Sequence, residues 1–570
     1  MKTNADITSP QTYHTFSGGI TALPRDKRFL KYTFGLGFLL ALSFVLGSML
    51  TNEHRTCRSP VELIQMLVIL TVMTFMSSIV TGLLFMFLTA LRDGGVKSRA
   101  GRKEYDSPFV FAFYAVVIIL CWIPIFLAYY PSVFAYDAEG QLYQVMAQDY
   151  STHHPLIHTL FLGVFFKLGE KLPGSYSSGM ALHSIVQLFF MAMILGYVLT
   201  VLYRERTSWV MRIALLLFYA FFPVNSVLAV STTKDVLFSG LVLLYVVMSD
   251  RWFGQKEDDT KGFGWKFVFF SVLMLLFRNN AIYAWAVCQP FLLFFARKKG
   301  LLKRYAVIAA ATLFLFGIGS AGLKTAVSAQ SGSPREMLSV PLQQMARTRV
   351  MHETEIDDAM RRRLDAYLPS EWVFAAYNPY LADPVKNRAI IHDDPAGLIR
   401  TWAQLGMQFP LTYVDAFLDN SIGYWYLADK THSTIYGVGT ESGFGYLSTD
   451  NRTMPAGYEI VEHSYLPELR FFMERLISDN AYQKAPVLPI IFAPAFYWWL
   501  LCLYIAFFLY RKEYKMLIPA LFPAAYYLTL LLSPTVLIRY MYPFVLCSPM
   551  MLCLAGRDST KHGTKIDNKN

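Results

Sequence analysis

Apolar runs of roughly the length that crosses a bilayer recur along this chain from Phe29 to Leu554, and they constrain its fold more than any motif does. A hydrocarbon core about 30 Å thick takes roughly 20 apolar residues as helix. Backbone in lipid must also satisfy its own hydrogen bonds, which favours helices. About twelve segments qualify: 29–50, 61–91, 108–130, 178–203, 209–230, 235–249, 265–277, 281–296, 305–323, 487–510, 516–533 and 535–555. With 55% of residues apolar and 16% charged, the 570 residues read as an all-α polytopic membrane protein rather than a string of soluble domains.

A formal charge of +11 raises the question of a nucleic-acid partner, but the basic residues sit in short clusters beside the spans, not on one soluble face. Arg25, Lys27, Arg28 and Lys31 precede the first span. Further clusters are Arg92/Lys97/Arg99/Arg102/Lys103, Arg204/Arg206/Arg212, Arg297/Lys298/Lys299/Lys303/Arg304 and Arg511/Lys512/Lys515. The positive-inside rule makes all of them cytoplasmic, with both termini inside, provided that Leu156 to Leu168 does not cross. That run is short and carries His158 and Lys167, so it reads as an amphipathic helix on the outer face. The expected division is then 1–107 (cytoplasmic N-terminus and two accessory helices), 108–323 (membrane core, first outer loop 131–177), 324–486 (outer segment), 487–556 (C-terminal helices) and 557–570 (cytoplasmic tail). Helix is expected over Pro334–Tyr367 and Leu398–Asp419, and loop over Asp429–Tyr458, so the outer segment is mainly helical.

Several function classes drop out. No GxxxxGK[ST] loop and no GxGxxG after a strand is present, which argues against nucleotide chemistry. None of the six cysteines lies in the outer segment, and there is no CxxC, HExxH or paired Cys/His spacing for structural zinc. Ahead of Arg25 there is no apolar core of signal-peptide type, so the first span reads as an uncleaved anchor.

Four polar clusters remain, and the threading puts each at the outer end of a helix. Asp137 and Glu139 follow a span by a few residues; they read either as a carboxylate that activates a hydroxyl or holds a metal, or as a turn and helix cap. His153-His154-Pro155 binds phosphate or orients that carboxylate, or simply opens a helix. In Thr232-Thr233-Lys234-Asp235, Lys234 suits a phosphate and Asp235 a metal or the lysine; a helix-start ion pair is the bland alternative. Arg278-Asn279-Asn280 and Arg539-Tyr540 supply two guanidinia, with Arg539 expected just inside the final span, where it grips phosphate or snorkels.

A carboxylate and several cations facing outward from a bundle suit a reaction on a lipid phosphate. When the bond between a sugar and a polyprenyl phosphate breaks, charge develops on the phosphate, and Lys234, Arg278, Arg539 and His153 are the candidate ligands. On the far side of the anomeric carbon, Asp137 takes the proton of the incoming hydroxyl, with Glu139 and His154 in support. One carboxylate acting as base is the pattern of direct inversion. No cofactor is required, although Asp137 and Asp235 are candidate ligands for a divalent metal.

The order of parts, a span, an outer loop with an early acid (Asp137), His154-Pro155 opening a juxtamembrane helix, more spans and a large outer segment, resembles the GT-C superfamily of integral-membrane glycosyltransferases. The resemblance implies a lipid-linked sugar donor and carries the role of base onto Asp137. More narrowly, Tyr130-Pro131, Asp137, Gln141, His153-His154-Pro155, Lys234-Asp235, Pro341-Leu342-Gln343-Gln344, Asn378-Pro379, Asp383-Pro384-Val385-Lys386, Gly423-Tyr424-Trp425-Tyr426 and Arg539-Tyr540 resemble a bacterial membrane family known only as a domain of unknown function, over residues 108–555. No WWD-type motif of the oligosaccharyltransferase branch is present.

Gln343, Gln344, Arg347, Trp425 and Tyr540 are the candidate acceptor or sugar contacts, against packing of the outer segment onto the bundle. The expectation is therefore a GT-C-like enzyme of the bacterial cytoplasmic membrane with an extracytoplasmic site. Its expected partners are a polyprenyl-phosphate sugar, a cell-envelope glycan, lipid or polymer acceptor and membrane lipids, with no nucleic acid. Its rivals are a transporter or flippase of lipid-linked glycans and a non-catalytic envelope assembly protein.

Overall fold

The structure is a computed structural model that describes residues 26–93, 108–134, 136–172, 175–254, 260–391, 394–429, 457–477 and 481–557. The basic cluster at 97–103, most of the loop expected over 429–458 and the C-terminal tail lie outside the described residues. All named elements are helices. In order they are α1 (Lys27–Glu53), α2 (Pro60–Asp93), α3 (Pro108–Ala128), α4 (Tyr136–Ala147), α5 (Leu156–Gly169), α6 (Ser175–Arg204), α7 (Trp209–Phe221), α8 (Pro223–Ala229), α9 (Asp235–Gly254), α10 (Thr260–Phe277), α11 (Ala281–Lys298) and α12 (Leu302–Ala326). The outer segment contributes α13 (Ser339–His352), α14 (Asp358–Tyr367), α15 (Ser370–Ala376), α16 (Asp383–Arg388), α17 (Pro395–Gln408), α18 (Pro410–Trp425) and α19 (Pro467–Ile477). The chain ends with α20 (Leu488–Phe492), α21 (Pro494–Arg511), α22 (Ile518–Leu530) and α23 (Tyr542–Ala555).

Each expected span is helical, but seven helices among the described residues are long and apolar enough to cross a membrane, or eight if α7 and α8 form one bent span. About twelve were expected. Proline explains part of the difference. Pro223 lacks an N–H and starts α8, so the run from Trp209 bends by 52° there. Pro494 likewise separates α20 from α21. The last two expected spans shorten to α22, 13 residues and about 20 Å long, and α23, with an irregular stretch from Leu531 to Met541 between them. In the outer segment, Pro410 splits the helix expected over Leu398–Asp419, and the helix expected over Pro334–Tyr367 breaks after His352 and restarts where the Asp357 side chain caps Met360 N–H.

Packing centres on α9, which is buried almost throughout and lies among α6, α10, α22 and α23. Gly240 on α9 faces α6, where a Cβ would come within 2.7 Å of Met191 Sδ. By contrast, α2 and α12 expose most of their apolar surface, as helices facing lipid do.

Helix ends sort to two faces. At one, Arg92 pairs with Glu513 at 2.6 Å, Arg511 with Asp93 at 3.0 Å and Arg557 with Asp250 at 2.6 Å, while Arg28 donates to Leu509 O at 2.5 Å. At the other, the C-terminal ends of α1 and α3 meet the outer segment: Asp415 accepts from Thr56 N–H at 3.0 Å, and Tyr130 O accepts from His463 N–H at 3.0 Å. α5 stays at this second face. Its start adjoins the polar cluster described below, and Phe166 near its end stacks on Tyr176 and Tyr458 at 4.4 and 6.2 Å.

Candidate functional site

Two backbone ties bring distant segments together. Val133 N–H donates to Val230 O and Thr232 N–H to Val133 O, both at 3.0 Å, so the approach to α4 runs beside the approach to α9. Thr152 N–H donates to Gln330 O at 2.9 Å, and Asn279 Nδ2 donates to the Thr152 and His153 carbonyls at 2.9 and 3.2 Å. Gly332 lets this second tie close, because a Cβ there would lie 3.2 Å from the His153 backbone. Gln141 completes the frame one turn after Asp137. Its amide donates to Thr159 Oγ1 at 2.9 Å, and its carbonyl oxygen lies 3.1 Å from His158 Nδ1, which fixes α4 on α5.

Asp137 occupies the first turn of α4, where a helix N-terminus favours negative charge. Its Oδ2 accepts from Lys234 Nζ at 2.6 Å and from Arg539 Nη1 at 2.7 Å. Lys234 Nζ also donates to His154 Nδ1 at 3.1 Å. Arg539 Nη1 reaches Asp235 Oδ2 at 3.2 Å and Thr233 Oγ1 at 3.3 Å, and Arg278 pairs with the other Asp235 oxygen. Both guanidinia lie on the Tyr540 ring, at 4.9 Å for Arg278 and 4.7 Å for Arg539. Thus three cations, two carboxylates, an imidazole and a phenol from five chain segments meet at one end of the bundle.

The titration behaviour follows from this crowding. Burial alone would raise the Asp137 carboxyl, but Arg539 and Lys234 outweigh it and hold the group well below the usual carboxylate range. Burial lowers Lys234 to about 8, with Asp137 opposing and Arg539 adding to the fall. His154 drops to about 3 through burial and the neighbouring ammonium, so it is neutral and accepts from Lys234.

Of the residues expected here, Asp137, His154, Lys234, Asp235, Arg278, Arg539 and Tyr540 are brought together. Two expectations need correction. Arg539 lies in the irregular stretch before α23 rather than inside a span, because Pro543 begins the helix only after it. The carboxylate and the cations also do not face each other across a hollow but touch. Glu139 lies on α4 two residues further on, half-buried. His153 faces away: it is half-exposed, packs on His154 with ring centroids 4.5 Å apart, and lies 3.9 Å from Glu336.

Apart from Tyr540, the expected acceptor contacts sit elsewhere, within the outer segment. Gln343 donates to Asn378 O; Gln344 donates to Tyr413 O at 3.1 Å and accepts from Trp402 Nε1 at 2.8 Å. Arg347 is buried against Asp419 at 2.6 Å and Tyr377 Oη at 3.0 Å. Trp425 Nε1 donates to Ser421 Oγ at 3.2 Å, and its carbonyl accepts from Trp499. As for a divalent ion at Asp137 and Asp235, the donor set does not fit one: Lys234, Arg278 and Arg539 already take those oxygens and would repel it. No group of three His, Cys, Asp or Glu suited to a metal occurs among the described residues.

The described residues form an all-helical fold, consistent with a multi-pass membrane protein, with a buried cation-rich cluster where several helices begin or end. Residues 147–569 match the model of a family of unknown function, DUF6020, and the chain belongs to that family. The match includes His154, Lys234, Arg278 and Arg539 and begins after Asp137. No curated protein and no solved structure matches the chain.

Proposed function

We propose that this chain is a GT-C-like membrane glycosyltransferase that moves a sugar from a polyprenyl-phosphate donor to a cell-envelope glycan, lipid or polymer. In this reading it sits in the bacterial cytoplasmic membrane with its termini cytoplasmic and the Asp137 cluster extracytoplasmic. The observation that carries the reading is that Lys234 and Arg539 converge on one Asp137 oxygen while Arg278 and Arg539 share Asp235. Three cations around two carboxylates leave a site suited to one more anion.

A donor phosphate competes with Asp137 for Lys234 and Arg539. Its arrival frees the carboxylate and removes the charges that hold its pKa down, so the base strengthens only when donor is bound. The acceptor oxygen then attacks the anomeric carbon as its proton passes to Asp137. The bond from that carbon to the phosphate oxygen breaks, and its electron pair leaves on the phosphate, where the cations stabilise it. Apolar helix faces suit the isoprenoid chain.

The test is transfer from a radiolabelled polyprenyl-phosphate sugar by the full-length protein in proteoliposomes. Wild type should give labelled glycan or lipid, and Asp137→Asn should bind donor without transferring. Flux of intact donor across the bilayer that survives Asp137→Asn would replace the enzyme by a carrier, and no donor binding at all would end the reading.

A further inference from the structure

The stretch that carries Arg539 is irregular yet closed from solvent from Thr535 to Arg539. Buried non-helical backbone must find partners for its carbonyls. At the entry to this stretch the outer segment supplies donors, one for each of three consecutive residues, Ser533 to Thr535. Asn420 Nδ2 donates to Ser533 O at 2.8 Å, Ala382 N–H to Pro534 O at 2.8 Å, and Tyr424 Oη to Thr535 O at 3.1 Å. Tyr424 Oη also lies 3.0 Å from Ser533 Oγ, which donates to Thr535 O at 2.7 Å. α18 is pinned in turn, since Tyr527 Oη donates to Tyr424 O at 3.1 Å.

We propose that Asn420 and Tyr424 are positioning residues that set the Arg539 guanidinium, so that the outer segment controls the anion site from a distance of several residues. Tyr424 adjoins Trp425, a candidate sugar contact, yet its own ring is buried and its hydroxyl is spent on the Arg539 stretch. The two side chains are not equivalent. Asn420 supplies the donor for the Ser533 carbonyl, whereas the Thr535 carbonyl keeps the Ser533 hydroxyl if Tyr424 is truncated. The other side of α18 holds the connection between α1 and α2, through Asp415 with Thr56 at 2.8 Å and Asp419 with His54 at 3.6 Å. One helix, α18, therefore touches both the accessory hairpin and the Arg539 stretch.

The consequence for ligand binding rests on the phosphate reading above; the consequence for the backbone does not. The experiment is a double-mutant cycle on the full-length protein in nanodiscs, with polyprenyl phosphate as probe, paired with amide hydrogen exchange at residues 536–541. Asn420→Ala should weaken binding by about five- to tenfold, the scale of one lost hydrogen bond, and speed exchange at 536–541. Tyr424→Phe should do less of both. In an Arg539→Lys background, Asn420→Ala should cost less than about twofold more, because its effect passes through the guanidinium. Trp402→Phe, in the interior of the outer segment, should leave affinity and exchange unchanged. If Arg539→Lys leaves binding intact while Asn420→Ala still speeds exchange, the phosphate reading falls and the positioning role stands. Unchanged exchange in Asn420→Ala, or an equal loss in both backgrounds, overturns the positioning role.

Discussion

At the end of the bundle away from the outer segment, Arg557 closes on Asp250 as a fork, with its two terminal nitrogens at 2.6 and 3.2 Å from the two carboxylate oxygens. At the outer-segment end, Arg539 divides one nitrogen between Asp137 and Asp235, and Lys234 crowds the same Asp137 oxygen. Both arrangements are buried and both neutralise carboxylates. The fork gives each Asp250 oxygen its own Arg557 nitrogen, and Glu205 lies 3.8 Å from Arg557 Nη1, so the guanidinium has no charge to spare and the pair acts as a lock between α9 and the C-terminal end. The shared arrangement has more cation than carboxylate, and its anion can be exchanged. Burial of charge alone does not identify a site; imperfect matching of charge does.

The sharpest way to break this contrast is to remove the exchangeable anion. Asp137→Asn should lower transfer by about 10²–10⁴-fold, the usual worth of a general base. Polyprenyl-phosphate binding should hold or tighten, because the competing carboxylate is gone. Transfer and binding that both fall together, measured by single-turnover transfer and equilibrium binding, would make Asp137 a structural partner of Arg539 and nothing more.

The converse change is made at the other end. Arg557→Ala strands a buried carboxylate and should cost about 3–5 kcal/mol of stability, read as a lower thermal midpoint in detergent. The protein that remains folded should bind polyprenyl phosphate as wild type does. A selective loss of binding would mean that the two ends are coupled and the contrast is false.

Acidity offers a finer test. Lys234 is lowered from 10.5 to about 8, so it loses its charge as pH rises through that value. Affinity for polyprenyl phosphate should fall by about tenfold between pH 7 and 9, on the scale of one charge-assisted hydrogen bond. A lysine whose folded value lies below its unfolded one binds fewer protons when folded, so its contribution to stability grows with pH from about 8 to 10.5. Loss of the Lys234 charge therefore does not itself favour unfolding. Lys234→Arg should flatten the decline. Asp137 is held below the ordinary carboxylate range in the free protein, so kcat/KM, which reports that state, should show no acid limb above about pH 4.

Much of this was legible beforehand, for physical reasons. Apolar runs of bilayer length marked the helices. Asp137, Lys234, Arg278 and Arg539 stood out because charge next to a span is costly. What could not be read was anything resting on tertiary registration. Whether Arg539 sits in a helix depends on where Pro543 lets one begin, and whether Asp137 faces or touches the cations depends on the tie between Val133 and Val230. Asn420 and Ser533 lie 113 residues apart in no motif, and an asparagine in an amphipathic helix carries no mark of its partner.

His153 and His154 give the smallest prediction and the most local one, since the two adjacent imidazoles meet different surroundings. His154 is almost buried and accepts from Lys234, whereas His153 is half-exposed and its nearest carboxylate, Glu336, is 3.9 Å away. An exposed pair at that distance contributes little. His153→Ala should alter polyprenyl-phosphate affinity by less than about twofold, and His154→Ala should alter it more, because Lys234 loses the acceptor that fixes its direction. The sign is informative as well. Without His154 the ammonium is free to sit wholly on Asp137, so the pair should become harder for a phosphate to open and affinity should fall. If the two alanine variants bind alike, the histidines only open α5, and the orientation of Lys234 comes from Asp137 alone.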